Sequence, residues 1–309
     1  MLYRKFGCTG WRMSAIGIGC RSVAKQWGKI SEGMSEEIIR AAYKSGINIF
    51  DATEVCGDKE GINEIRLGRA LKGIRDKVFI AAKVNMTEGS KDDINIQDDR
   101  FISTSFERSA SRLNTDYIDI LLYESSNGTI TESHVAELKE LKRQGYIREY
   151  GISTSSIAEL SRFYEMSDGA CGVVQLEYSL LNRDAENNLL PYCKERNLAV
   201  MAKGVLYKGV LSGKFNKNSV FSDPVRKSWN IDGQERAAFE QQLDNINKIR
   251  EVLEDASDMS TTALRYVISH EAEPVAIPGV TCLEQVLKNA RAGLRLLSKE
   301  ELKLLRNTV

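Results

Sequence analysis

Residues Ile118-Asp-Ile-Leu-Leu-Tyr-Glu124 make an almost unbroken apolar run of strand length that stops on a carboxylate. Such a run, without polar alternation, fits a strand buried on both faces of a parallel sheet covered by helices. An amphipathic stretch, Ile102–Leu113, precedes it. Another, Glu132–Gln144, follows, and a second apolar run, Glu149–Ser153, comes next. Strand, helix and strand at this spacing predict βαβ units. Working outward, the same alternation recurs. Apolar runs are read at Ala15–Cys20, Ile47–Asp51, Val78–Val84, Val173–Glu177, Ala199–Lys203 and Val275–Gly279. Helices are expected at Ser35–Lys44, Ile62–Lys72, Ile157–Met166, Glu186–Arg196, Thr261–Ser269 and Leu283–Ala292. Eight strands, each followed by a helix, predict an α/β fold of the closed (β/α)8 TIM-barrel type. A doubly wound sheet would show a glycine fingerprint at its first turn, and Gly17 and Gly19 are not followed by a third glycine. Tyr3–Ser14, with Gly7 and Gly10 at a polar turn, reads as an N-terminal β-hairpin that closes the barrel bottom. The segment Gly204–Asp232 after the seventh strand has no clear period, and a loop of that length in a compact fold is usually functional. No composition break divides residues 1–309, so one barrel domain is expected.

Composition narrows the function classes. Lys+Arg and Asp+Glu are equal at 43 each, which leaves no net electrostatic footprint for nucleic acid or an anionic membrane. No apolar run approaches the roughly 18 residues of a membrane span. Met-Leu-Tyr-Arg-Lys lacks the apolar core of a secretory signal, and a cytoplasmic location is expected. The two histidines, His134 and His270, are too few for a His-rich metal centre. The six cysteines show no C-x-x-C pair, so free thiols and no metal site are expected.

In a barrel of this type the chemistry belongs at the C-terminal strand ends. That rule selects Cys20, Arg21, Asp51 with Glu54 and Cys56, Lys83, Glu124, Ser153, Thr154, Gln175, Tyr178, Lys203 and Gly279 onward. Asp, Lys and Glu at three successive strand ends would converge on one mouth, either as a proton-transfer site or as a structural ion-pair network. Adjacent strand residues face opposite sides, so Tyr123 should face the helices if Glu124 faces the mouth.

The chain resembles the aldo-keto reductase superfamily, in its bacterial branch, over nearly its whole length. The likeness is carried by Tyr3-Arg-Lys-Phe-Gly-Cys-Thr-Gly10, Gly46-Ile-Asn-Ile-Phe-Asp51, Leu67-Gly-Arg-Ala-Leu71 and Leu113-Asn-Thr-Asp-Tyr-Ile-Asp119. It continues through Gln175-Leu-Glu-Tyr-Ser-Leu-Leu-Asn-Arg183, Gly209-Val-Leu-Ser-Gly-Lys214 and Ala276-Ile-Pro-Gly279, with Gln285 and Asn289 beyond. The resemblance implies a barrel that binds a nicotinamide dinucleotide across the strand ends and transfers hydride to a carbonyl of a small-molecule substrate. The family's catalytic Asp and Lys fall on Asp51 and Lys83. Its Tyr falls on Cys56 and its His on Glu124. A thiol is shorter than a phenol and a weak donor. Three roles stay open: Glu124 as the acid–base group, Cys56 as a nucleophile or proton carrier beside Lys83, or both as relics of lost activity. A narrow carbonyl, enone or sugar-derived substrate would suit an oxidoreductase altered in this way. Elimination or isomerisation without net redox is the rival reaction class, and a non-catalytic cofactor-binding subunit is the third reading.

For the cofactor, the resemblance makes Gln175 a carboxamide contact, Tyr178 the aromatic that stacks on the nicotinamide, and Ser153 with Thr154 the neighbouring pair, Thr154 replacing an Asn. Gly204 and Leu206 lie in Ala202-Lys-Gly-Val-Leu206, where the family has A-Y-S-P-L. They are expected along the dinucleotide with Gly209 and Lys214. Gly279, Gln285 and Asn289 match the adenosine site, at a helix N-terminus suited to an anion. Thr281 replaces a basic residue that would hold the 2′-phosphate of NADP. NADP is still favoured over NAD, with Lys208, Lys214 or Lys288 as substitute cations.

Overall fold

The computed structural model describes residues 1–24, 30–53, 61–85, 100–124, 130–253 and 259–309. Two short strands, β1 (Tyr3–Lys5) and β2 (Arg12–Ser14), pair antiparallel with Tyr3 opposite Ser14. Eight parallel strands follow: β3 (Ile18–Gly19), β4 (Ile49–Asp51), β5 (Phe79–Asn85), β6 (Ile118–Glu124), β7 (Ile147–Ser153), β8 (Val173–Glu177), β9 (Ala199–Lys203) and β10 (Val275–Ala276). Each pairs with its neighbours in chain order. The first and last strands meet through the parallel bridges Ile16–Ala276 and Gly19–Gly279, which close the sheet into the (β/α)8 barrel. The ladder is short at this seam, and Pro278 there has no N–H to donate. Its carbonyl instead accepts from Gly19 N at 3.0 Å.

The helices are α1 (Glu32–Lys44), α2 (Ile62–Ala70), α3 (Phe101–Leu113), α4 (Glu132–Gln144), α5 (Ile157–Met166), α6 (Leu189–Glu195), α7 (Arg236–Val252), α8 (Met259–Ile268), α9 (Leu283–Ala292) and α10 (Lys299–Thr308). Helix α1 starts earlier than Ser35 because Ser31 is its cap, accepting from Met34 N at 3.1 Å. The Ser35 hydroxyl instead donates to Ser31 O. Two helices were not anticipated. Helix α7 buries Phe239, Leu243, Ile246 and Ile249, a legible helical period. Helix α10 opens on a capping box between Ser298 and Glu301.

Strand parity builds the inside of the barrel. Ile49, Ala81, Ile120, Leu122, Val173, Ala199, Met201, Val275 and Ile277 form one apolar cluster, and Phe6 and Met13 of the hairpin join it from below. The hairpin therefore plugs the bottom, as expected, and Trp11 stacks on Phe79 at 5.0 Å. Gly151 must be glycine, because a Cβ there would lie 1.8 Å from Val173 O on the adjacent strand. The loop after β9 has a core of its own. Phe221 packs edge-on against Phe215, Trp229 and Phe239, and Trp229 stacks on Phe239 at 5.0 Å.

Both histidines are structural. His134 Nδ1 accepts from Thr131 N in a capping box at the start of α4. His270 lies two residues past the end of α8 and is buried. Its Nδ1 accepts from Ala272 N at 3.1 Å, its ring packs edge-on against Tyr178, and burial lowers its pKa. The imidazole is thus buried neutral. As pH falls below the ordinary histidine value of ~6.5, the unfolded chain takes up a proton that the folded chain resists, so stability falls. Thermal melts between pH 7.5 and 5 should show this decline, and His270→Gln should flatten it. An unchanged slope in that variant would contradict the assignment.

Candidate active site

The same parity that lines the interior places polar side chains at its upper rim. Asp51 lies two residues beyond Ile49, Lys83 two beyond Ala81 and Glu124 two beyond Leu122. Gln175 lies two beyond Val173, and Lys203 two beyond Met201. Residues i and i+2 share a face, so each of these side chains points into the mouth. Tyr123 faces the other way, buried against His134 and Phe163.

One connected network spans these strand ends. Lys83 Nζ lies 2.5 Å from Asp51 Oδ1, with Lys83 6% and Asp51 9% exposed. Gln175 Nε2 donates to Asp51 Oδ2 across the barrel at 3.1 Å. An ionised carboxylate only accepts, so the Gln175 amide must turn its oxygen toward Ser153. Ser153 Oγ lies 3.2 Å from Gln175 Oε1 and 3.2 Å from Glu124 Oε1, but it has a single proton to give. The two acceptors are equally distant, and of the two Glu124 Oε1 has a second donor. That donor is Lys203 Nζ at 3.2 Å, and Lys203 Nζ also donates to Ser153 Oγ at 3.0 Å. The lysine therefore reaches from β9 across Gln175 of β8 to residues of β7 and β6.

Electrostatics decide the state of Glu124. Desolvation pushes its carboxyl up, but Lys83, Lys203 with its hydrogen bond, and Arg21 outweigh this and hold it below the usual carboxylate range. Glu124 is thus a carboxylate at neutral pH. Cys20, fully buried beneath the pair, is pushed well up by burial and then by Asp51, against Lys83, and stays a thiol. Cys56 and Glu54 lie outside the described residues.

The cofactor residues divide. Ser153 and Gln175 are at the mouth. Tyr178 is not. Strand alternation turns it outward, where it is 1% exposed, donates to Glu186 Oε1 at 2.7 Å and packs beside Tyr266. It has no face to offer a ligand in the mouth, and the alternation already visible in Gln175-Leu-Glu-Tyr178 was the signal that separates it from Gln175. The Thr154 hydroxyl is also engaged, donating to Glu159 and accepting from Ser156 N. Gly204 and Gly209 adopt positive φ in the loop after β9, with Leu206 half-buried and Lys214 exposed. Gln285 Oε1 accepts from Thr281 N at 2.7 Å beside Gly279. Asn289 is 3% exposed, and its Nδ2 has no hydrogen-bond partner among the described residues. Lys203, placed at a strand end by the sequence but given no role, is the functional candidate the sequence passed over. Its signal was the Lys in Ala202-Lys-Gly-Val-Leu206 where the family motif has Tyr.

The model of the aldo/keto reductase family matches residues 15–309. The chain belongs to that family. It is 29% identical over 313 residues to an oxidoreductase of Bacillus subtilis (strain 168), YqkF, covering 99% of this chain and 96% of that protein. It is similar in structure to the glycerol dehydrogenase AKR11B4 from Gluconobacter oxydans, with a TM-score of 0.82, 26% identity and coverage of 99% and 94%. An aldo-keto reductase from Klebsiella pneumoniae in complex with NADPH matches with a TM-score of 0.73, 26% identity and coverage of 99% and 95%. No group of side chains among the described residues could hold a metal ion, and no described helix is long and apolar enough to cross a membrane.

Proposed function

We propose that this aldo/keto reductase is an NAD(P)-linked oxidoreductase that interconverts a small, narrowly selected carbonyl, enone or sugar-derived compound with its reduced form. Glu124 serves as the base that receives the substrate proton in the oxidative direction. The observation that carries this reading is the pairing of Glu124 with Lys203 at 3.2 Å beside the Asp51–Lys83 pair at the strand ends, with nearby cations holding the Glu124 carboxyl below its usual range. A carboxylate in that place is in the form that accepts a proton from an alcohol, the reverse of the task a phenol performs in carbonyl reduction, although the cations that keep it ionised also make it a weak base. Asp51 fixes Lys83, whose ammonium can hold the reacting oxygen.

The residues present fit a nicotinamide dinucleotide. Ser153 and Gln175 would hold its carboxamide, and the loop bearing Gly204, Leu206, Gly209 and Lys214 would run along it. Gly279, Thr281, Gln285 and Asn289 would take the adenosine end. The buried Asn289 Nδ2, without a protein partner among the described residues, is a donor set aside for such a ligand. At Gly204 a side chain would meet nothing closer than Glu177 at 3.9 Å, so the backbone there is open to approach. When bound, the nicotinamide supplies or takes the hydride. NADP is the favoured form, in line with the Klebsiella relative, whose structure is in complex with NADPH.

Equilibrium titration with NADPH, NADP+, NADH and NAD+, followed by a panel of alcohols and carbonyls read by nicotinamide absorbance, tests the reading. Binding and substrate-dependent redox turnover are expected. No affinity for any of the four, or product formation without net redox, would refute it.

A further inference from the structure

Lys203 stands where the family motif carries tyrosine, and its position is set by three observations. Its ammonium sits on Ser153 Oγ at 3.0 Å and on Glu124 Oε1 at 3.2 Å. To get there, the side chain reaches from β9 past β8, the strand that carries Gln175, the second carboxamide candidate. Ser153 Oγ is engaged on both sides, with its one proton facing Gln175 Oε1 and Glu124 Oε1, and Lys203 on one lone pair, which leaves a second lone pair. A ligand group that donates to that lone pair lies beside the Lys203 ammonium, which rests on the same oxygen.

We propose that Lys203 determines which redox state of the cofactor the mouth prefers, disfavouring the oxidised nicotinamide relative to the reduced one. The inference rests on the reading of the mouth as a dinucleotide site. A nicotinamide carboxamide that takes up Ser153 and Gln175 brings its ring beside the lysine, whose ammonium lies 3.0 Å from Ser153 Oγ. The oxidised ring carries a formal positive charge and the reduced ring carries none. A cation tethered beside the ring raises the free energy of the oxidised form alone. The neighbouring carboxylates do not cancel it, because Asp51 is taken by Lys83 and Glu124 is shared among Lys83, Lys203 and Arg21. Glu177 on β8 is exposed, where water screens its charge. A tyrosine at this position would present no charge to either form.

The test is the ratio of dissociation constants for NADP+ and NADPH, measured by equilibrium titration of the wild-type protein, Lys203→Met and Lys203→Arg. The ratio should fall by roughly tenfold in Lys203→Met, allowing for partial solvent screening of a half-exposed charge. Lys203→Arg should keep the wild-type ratio, because it keeps the charge. A purely structural role for Lys203 would weaken both forms alike and leave the ratio in place. Lys203→Gln, read in the same way, serves if the methionine variant does not fold. Ratios equal in the wild-type and neutral variants overturn this inference while leaving the dinucleotide site standing. Failure of all proteins to bind NADP+, NADPH, NAD+ or NADH overturns both, and if only NAD+ and NADH bind, their ratio is the one read.

Discussion

Exchanging Lys83 for methionine is expected to destabilise the fold by about 3–5 kcal/mol and to lower turnover by on the order of 100-fold or more. The stability effect follows from burial. Lys83 and Asp51 are almost completely withdrawn from solvent and lie 2.5 Å apart. Removing the ammonium leaves the Asp51 carboxylate with Gln175 Nε2 at 3.1 Å as its remaining side-chain donor among the described residues. An uncompensated buried charge costs far more than the net worth of an intact pair, because the desolvation penalty is no longer repaid. Lys83→Met combined with Asp51→Asn removes that charge and should recover much of the lost stability without recovering turnover. Denaturant unfolding of the two variants, with activity measured alongside, separates the effects. A Lys83→Met protein within about 1 kcal/mol of the parent would show that the pair is far better solvated than its burial implies.

Replacing Glu124 by glutamine should lower oxidative turnover by about 10²–10⁴-fold, the usual worth of a positioned general base. The pH dependence carries the sign. Desolvation raises the Glu124 carboxyl, but Lys83, Lys203 and Arg21 together hold it below the ordinary range. The base form is therefore populated throughout neutral pH and is lost only as pH falls through that depressed value. The wild-type oxidative rate should show no Glu124-dependent loss between pH 8 and about 5, values well above the ordinary glutamate pKa of ~4.3. The same depression means that the ionised carboxylate stabilises the fold above the ordinary glutamate pKa, and that this contribution disappears on stronger acidification. A reductive rate that climbs steadily below pH 7 and vanishes in Glu124→Gln would instead make Glu124 a proton donor. The glutamine keeps the shape of the side chain and an acceptor for Lys203, so a lost rate would reflect the base and not a collapsed mouth.

Much of this site is legible before any coordinates. The run Ile118–Glu124 gives a strand whose even-numbered residues share one face, so Glu124 follows Ile120 and Leu122 into the barrel while Tyr123 turns to the helices. The same reasoning places Asp51, Lys83, Ser153 and Gln175 at one mouth. At Tyr178, just past the end of β8, the same alternation turns the ring away from the mouth. Helix α7 is equally legible in the spacing of Phe239, Leu243, Ile246 and Ile249 on its buried face. The loop before it hides its order because aromatic packing among Phe215, Phe221 and Trp229 has no period.

The sequence by itself determined the strand count, the barrel and the chemical identity of the strand ends, because strand parity and helix periodicity are local properties of the chain. Only the tertiary structure decided which of those groups meet and in what state. Gln175 and Asp51 are 124 residues apart and Lys203 and Glu124 are 79 apart, and no local pattern encodes such contacts. The ionisation of Glu124 depends on three cations brought in by different loops and strands against its own burial, a balance that exists only once the barrel has closed.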